Sequence, residues 1–132
     1  MNNKAELDNL GNQFRLAVRE LYASMKDNKT LRANYNDISD FAKSYIPEGT
    51  SFDDAECILR RAGFDVHERP DANVPGDPNW PNKSDRYDVF ATMLLASGFL
   101  PGVKLMLGMR PKSPGDYSTV KEVRAAIIVT YP

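Results

Sequence analysis

The chain contains very little cysteine and histidine. Cys57 and His67 are the single members of their types among 132 residues. One cysteine excludes an internal disulfide and a structural zinc site built on cysteines. Catalysis or metal binding by His67 needs convergent side chains, and its neighbours in the sequence supply none. We therefore expect neither a metal nor a cofactor.

An excess of charge of either sign is also missing. Seventeen Lys and Arg stand against eighteen Asp and Glu. Such a balance lacks the basic field that attracts nucleic acid, so no nucleic-acid partner is expected. The apolar content of 42% and the charged content of 27% are typical of an ordered globular protein. The length suits a single domain over residues 1–132.

The motifs that mark common enzymes are absent. The chain has no phosphate-binding loop, no Gly-x-Gly-x-x-Gly sequence and no Gly-x-Ser-x-Gly elbow. A calcium loop needs oxygen ligands at alternate positions and a closing glutamate. Neither acidic cluster, Asp37 with Asp40 or Asp53, Asp54 and Glu56, has that spacing. No catalytic residue is therefore predicted, and the protein is not expected to be an enzyme.

An alternative prediction, a thiol-dependent function, depends on Cys57. Its position on a helical wheel places it with the charged side chains of the helix, away from the apolar stripe. Arg60 and Arg61 would stabilise a thiolate, whereas Asp53 and Asp54 would oppose it. We interpret Cys57 as an incidental thiol, with a small redox or thiol-dependent protein as the alternative.

Long apolar runs are rare, and the one present is interrupted. Val89 to Met109 is long enough to span a bilayer and contains a single charge, Lys104. Gly98, Pro101 and Gly102 lie at its centre and form a turn signal. The run therefore predicts a β-hairpin, with no membrane span.

The first 21 residues lack the apolar core of a signal peptide. We expect a soluble protein that either remains in the cytoplasm by default or is exported and has lost its leader.

Three helical patterns occupy the first half of the chain. Apolar residues recur at spacings of three and four from Leu7 to Met25, and a second such pattern runs from Leu31 to Tyr45. The third helix follows Pro47 and Gly49, with Ser51 as its predicted N-cap. A glycine at position 63 predicts a left-handed C-terminal cap, and Phe64 and Val66 start a strand.

The stretch from Ile46 to Val66 resembles the opening of a PASTA repeat. The matching residues are Pro47, Gly49, Ala55, Leu59, Gly63 and Phe64. PASTA domains are extracellular modules of bacterial kinases and transpeptidases, and some bind cell-wall fragments. The resemblance implies a helix leading into a strand and a protein of bacterial type, similar to small bacterial domains with a helix on an antiparallel sheet. It assigns no binding residue.

The second half predicts strands over residues 86–96, 102–110 and 121–131, the last two joined by a turn at "SPGD". The fold class is therefore α+β, with two or three N-terminal helices packed on a mostly antiparallel sheet of three to four strands. One face of each strand is apolar, and the opposite face is apolar in part. This second face needs a cover, which is a helix of the same chain, a like subunit or another partner.

A long proline-rich loop, residues 69–86, separates the third helix and first strand from the hairpin. Loops of this length in small domains are often functional. Trp80 lies between prolines and would anchor a protein or a sugar, with Asn79, Asp77 and Arg69 as neighbouring contacts. The alternative is that Trp80 folds back onto the core.

These observations favour a non-enzymatic module that binds a protein or another ligand. The predicted contact surfaces are the 69–85 loop and the second sheet face. A further alternative is a self-associating structural protein that pairs through Phe90, Leu94, Met106 and Ile128.

Overall fold

The computed structural model describes residues 3–70, 86–96 and 102–130. In chain order the elements are α1 (Lys4–Asp27), β1 (Asn34–Asp37), α2 (Ser39–Lys43), α3 (Phe52–Arg61), β2 (Asp65–Val66), β3 (Val89–Ala96), β4 (Gly102–Pro111) and β5 (Val120–Thr130). The strands form one sheet with the order β1-β5-β4-β3-β2. Every neighbouring pair in it is antiparallel.

The predicted α+β class is confirmed, and the sheet has five strands, more than the three to four expected. Besides the three long strands, the sheet contains the short edge strand β2, where Phe64 and Val66 predicted a strand, and the edge strand β1, which was not predicted. The predicted turn between β4 and β5 is present, with Gly115 at φ 84° and the Asp116 amide donating to the Ser113 carbonyl. The predicted connection from Gly98 to Pro101 lies outside the described residues.

The helix α1 begins at an asparagine cap, because the Asn3 side chain accepts a hydrogen bond from the Glu6 amide at 2.9 Å. Its buried stripe contains Leu7, Phe14 and Val18, as the spacing predicts. The remaining buried residue, Gly11, lies where α1 crosses α3.

The prediction of a second helix from Leu31 to Tyr45 is wrong over its first half, which is strand β1. Asparagine and aspartate side chains bond to the backbone there and compete with helical hydrogen bonds. The Asn36 side chain accepts from the Arg32 amide and donates to the Arg32 and Ile127 carbonyls. Asn34 has a φ of 76°, which breaks any helix at that point. Only Ser39–Lys43 is helical.

The third helix matches its prediction at both ends. Ser51 Oγ accepts a hydrogen bond from the Asp54 amide at 3.1 Å, which makes Ser51 the N-cap. At the other end, Gly63 has a φ of 99°. The Gly63 amide donates to the Arg60 carbonyl and the Phe64 amide to the Leu59 carbonyl, the pattern of a Schellman cap.

One face of the sheet, called the inner face, packs with the helices into a single core. Its side chains are almost fully buried: Val89, Ala91, Val103, Leu105, Leu107, Met109, Val123, Ala125, Ile127 and Val129. The helices contribute Phe14, Phe52, Ile58 and Leu59. Within the described residues, α1, α2 and α3 all belong to this side, so none of them covers the opposite face.

Candidate functional site

The opposite side of the sheet is called the open face. Tyr35 on β1 is 60% exposed and Leu94 on β3 is 65% exposed. Between them, Phe90, Met106 and Ile128 are only half-buried. Large apolar side chains adjoining each other on a monomer's surface are typical of an interaction site.

The antiparallel register arranges this face in rows that cross the strands. Each row is named after its residue on β4. The Lys104 row contains Leu94, Lys104, Ile128 and Tyr35, and the Met106 row contains Asp65, Thr92, Met106, Ala126 and Asp37. The Gly108 row contains Phe90, Gly108 and Arg124. The Arg110 row contains Asp88, Arg110 and Glu122. The face is thus largely apolar at the Lys104 end and ionic at the Arg110 end.

A shallow depression of about 200 Å³ lies between the apolar and ionic rows. The small residues Gly108 and Ala126 line it, together with the larger side chains of Tyr35, Phe90 and Met106. The Phe90 ring lies against Gly108, since a Cβ at that glycine would be 3.2 Å from Phe90 Cε1. A glycine in a strand interior often marks such a close approach.

The ionic end is built around a buried carboxylate. The Asp88 side chain is 3% exposed and lies 3.5 Å from Arg110 Nε and 3.6 Å from Arg124 Nη2. Arg110 also pairs with Glu122 at 3.5 Å. These pairs hold the charged side chains in place beside the depression.

Arg69, a predicted binding residue, lies in a second cluster at the start of the proline-rich loop. Its guanidinium forms ion pairs with Glu56, whose side chain is 8% exposed, and with Asp53 at 2.8 Å. It also lies 5.8 Å from the Phe52 ring centre and 5.6 Å from the Tyr117 ring centre. Hydrogen bonding to Glu56 raises the pKa of Arg69 above its ordinary value.

Tyr117 joins this cluster to the beginning of β3. Its hydroxyl donates to the Tyr87 carbonyl at 2.8 Å and lies 3.3 Å from the Pro70 carbonyl. Burial raises the pKa of this hydroxyl, and the Asp88 carboxylate acts in the same direction. The cluster therefore fixes both ends of the loop to the core: Pro70 at one end and Tyr87 at the other.

Cys57, the possible reactive thiol, lies on α3, and His67 follows directly after β2. Cys57 is half-buried and packs against the core, deeper than its wheel position predicted, since α3 also buries the adjacent Glu56. His67 is exposed, and its amide donates to the Phe90 carbonyl. In the part of the chain that the structure describes, no three His, Cys, Asp or Glu side chains lie close enough together to hold a metal ion.

The remaining predicted binding residues, Asp77, Asn79 and Trp80, lie outside the described residues, as does the loop that contains them. On the open face, the sequence predicted a contact role for Phe90, Leu94, Met106 and Ile128. Tyr35 was not predicted there, because it was assigned to a helix. The ionic row was not predicted either, because strand register decides which charges become neighbours.

Comparison of the chain with protein-family models, with curated proteins and with solved structures gives no match. The resemblance of Ile46–Val66 to a PASTA opening therefore stays a prediction. Within residues 3–70, 86–96 and 102–130, no helix has both the length and the apolar content that a bilayer crossing requires.

Proposed function

We propose that this protein is a non-enzymatic, protein-binding module whose contact surface is the open face of its sheet. One observation carries the proposal. Leu94 and Tyr35 are exposed by 65% and 60% on a face whose central side chains are also apolar. Covering this face by a partner would remove these side chains from water, and each buried apolar square ångström stabilises the complex by about 25 cal/mol before association costs.

The arrangement of the face suits a protein partner. Apolar side chains spread over four strands give a broad, shallow surface, as in protein interfaces, whereas small-molecule sites are usually deeper. The ionic row at one end provides the polar rim that such interfaces have. The partner is expected to present an apolar patch to the Met106 and Lys104 rows.

Site-specific photo-crosslinking in living cells tests the proposal. A crosslinking amino acid replaces Leu94 in one variant and Leu16 in a control variant. Leu16 is 57% exposed on α1, on the helical side of the molecule. We expect Leu94 to yield a discrete crosslinked product and Leu16 to yield none.

A second substitution ties that product to the open face. Met106→Lys places a charge in the centre of the face and should abolish the Leu94 crosslink, whereas Leu16→Lys should leave it unchanged. Thermal unfolding verifies that both variants fold. Equal products from Leu94 and Leu16, or a product that survives Met106→Lys, would count against the open face as the contact surface.

The proline-rich loop after Arg69 is a separate predicted contact. Trp80→Ala in the same crosslinking experiment tests it, because the substitution removes the proposed aromatic anchor. Loss of the Leu94 product in this variant would make the loop part of the interface. An unchanged product would confine the contact to the sheet.

A further inference from the structure

A cavity of about 410 Å³ lies at the turn between β4 and β5. This volume falls in the range of small-molecule sites, about 300–1,000 Å³. The cations Arg110, Lys112 and Lys121 line the cavity, and none of the lining residues that the structure describes is a carboxylate. The whole chain has a formal net charge of -1, so the cavity concentrates positive charge that the average composition does not show.

Lys121 reaches this cavity because of a β-bulge. The ladder pairs Arg110 with Glu122 and then Pro111 with Val120. It passes over Lys121, which is therefore an extra residue in β5. Regular alternation from Glu122 on the open face would turn Lys121 toward the core and Val120 toward solvent. With the bulge, Val120 is 1% exposed in the core and Lys121 is exposed. Bulges often redirect a side chain beside a functional site.

The backbone around Lys112 is fixed on both sides. Pro111, before it, has a restricted φ and no N–H for the ladder, so strand pairing changes at this residue. After it, the Asp116 amide donates to the Ser113 carbonyl at 2.9 Å and closes the turn. A lining that is rigid before binding reduces the entropy lost when a ligand binds.

The two lysines differ from Arg110 in their pairing. Arg110 is bound to Asp88 and Glu122, so its charge is already compensated. Lys112 and Lys121 are exposed and form no ion pair with any residue that the structure describes. The two ammonium groups are therefore the charges that an anion can use.

Two acidic residues near the lysines, Asp116 and Glu48, lie outside the lining of this cavity. Asp116 accepts hydrogen bonds from the Ser118 amide at 3.2 Å and from the Ser118 hydroxyl at 2.6 Å. Glu48 lines a second cavity of about 500 Å³, which adjoins the first because both include Lys112 and Lys121. An anion in the first cavity therefore meets the lysines without a carboxylate beside it.

We infer that this cavity binds a small molecule that carries a phosphomonoester group, with Lys112 and Lys121 as the phosphate contacts. Such a group carries about −1.5 to −2 charges at pH 7, which two ammonium groups match. Ser113, in the same lining, offers a hydroxyl donor. Tyr87 and the two prolines of the lining give the rest of the molecule an apolar wall.

Amide chemical shifts of the ¹⁵N-labelled chain, titrated with phenyl phosphate, test the inference. This probe joins a phosphomonoester to a ring that fits the apolar wall. We expect saturable shifts centred on Lys112, Ser113 and Lys121. Phenol lacks the phosphate and should cause no saturable shift there. Inorganic phosphate lacks the ring and should bind more weakly than phenyl phosphate.

Neutral substitutions assign the contacts. Lys112→Gln and Lys121→Gln should each weaken phenyl phosphate binding by about 10-fold, because each removes a charge-assisted contact. Lys4→Gln, which removes the same charge from an exposed position on α1, is the control and should leave binding unchanged. Thermal unfolding verifies that all three variants fold.

Phenyl phosphate without saturable shifts at the turn would overturn the inference. Equal weakening by Lys4→Gln and Lys121→Gln would also overturn it, since the attraction would then follow net charge and no site would be involved. The proposed function is tested separately, because Lys121 lies outside the apolar rows of the open face. Lys121→Gln should leave the Leu94 crosslink unchanged while it weakens phenyl phosphate binding.

Discussion

The two faces of the sheet are built by the same strands and differ in what adjoins them. On β4, Leu105 and Leu107 point inward and are fully buried under the helices, whereas Met106 between them points outward and is half-buried. Both faces contain large apolar residues. An apolar residue on a strand therefore indicates a surface that needs a cover. It does not indicate which part of a protein provides that cover.

The two faces also differ in the ionised side chains that they contain. The described residues contribute no ionised side chain to the inner-face positions of the core, and the open face holds an ion-pair row around the buried Asp88. Buried charges need partners with good geometry, which restricts how that end of the sheet can rearrange.

The largest expected effect is a difference in stability between a substitution on the inner face and one on the open face. Leu105→Ala removes a fully buried side chain and should lower the free energy of unfolding by about 2–5 kcal/mol. Met106→Ala, one residue along on the open face, should lower it by less than about 1 kcal/mol in the monomer. Urea unfolding of both variants at low protein concentration measures the difference. Equal losses would contradict the assignment of the two faces.

A glycine pair gives the next test. At Gly11, an added Cβ would lie 2.5 Å from Arg61 Cβ and 2.9 Å from the Ile58 carbonyl oxygen, so α1 and α3 would have to separate. Gly11→Ala should therefore cost about 1–3 kcal/mol, despite the better helix propensity of alanine.

The matched substitution on the open face is Gly108→Ala. Its Cβ would meet the Phe90 ring at 3.2 Å, and this ring can move toward solvent. We expect a smaller loss of stability from this variant than from Gly11→Ala. Thermal unfolding compares the two, and a larger loss at Gly108 would mean that the open face is packed as tightly as the helical side.

The Arg69 cluster provides a test at the end of the helical layer. Arg69→Ala leaves the nearly buried Glu56 without its cation and should cost about 1.5–3 kcal/mol. Adding Glu56→Gln to Arg69→Ala should recover part of this loss, because the uncompensated charge is removed. Chemical unfolding of the single and double variants measures the recovery. Lys43→Ala is the control, because Lys43 pairs with an exposed carboxylate, that of Asp40, at the longer distance of 4.0 Å.

The smallest expected effect concerns pH at the edge of the open face. Hydrogen bonds from the Ser39 hydroxyl and amide lower the pKa of Asp37 below its ordinary value of 3.8. A lowered pKa in the folded state stabilises the protein above pH 3.8, and this contribution is lost as the pH falls through the folded pKa. Because Asp37 is exposed, we expect less than about 1 kcal/mol.

Asp37→Asn should flatten the acid limb of the stability curve relative to the unsubstituted chain. Unfolding measured at a series of pH values below neutrality detects the change. Asp40→Asn, at a fully exposed carboxylate, is the control. An unchanged acid limb in Asp37→Asn would show that the Ser39 hydrogen bonds do not distinguish the folded from the unfolded state.

Local signals in the sequence predicted local structure well. The caps at Ser51 and Gly63, the turn before Asp116 and the three long strands follow from side chains acting on their own backbone. The helix predicted across Tyr35 failed because Asn34 and Asn36 favour other backbone hydrogen bonds, and β5 offers them a strand partner. The candidate site was predicted in part, as a half-apolar second face.

The sequence by itself therefore determined the α+β class, the apolar side of each strand and most helix ends, because these depend on residues near one another in the chain. Only the tertiary structure decided that the helices share one face, that Tyr35 joins Phe90 and Met106, and that Asp88 meets Arg110 and Arg124. The physical reason is register. The alignment of distant strands places side chains side by side, and the cooperative packing of the whole core selects that alignment.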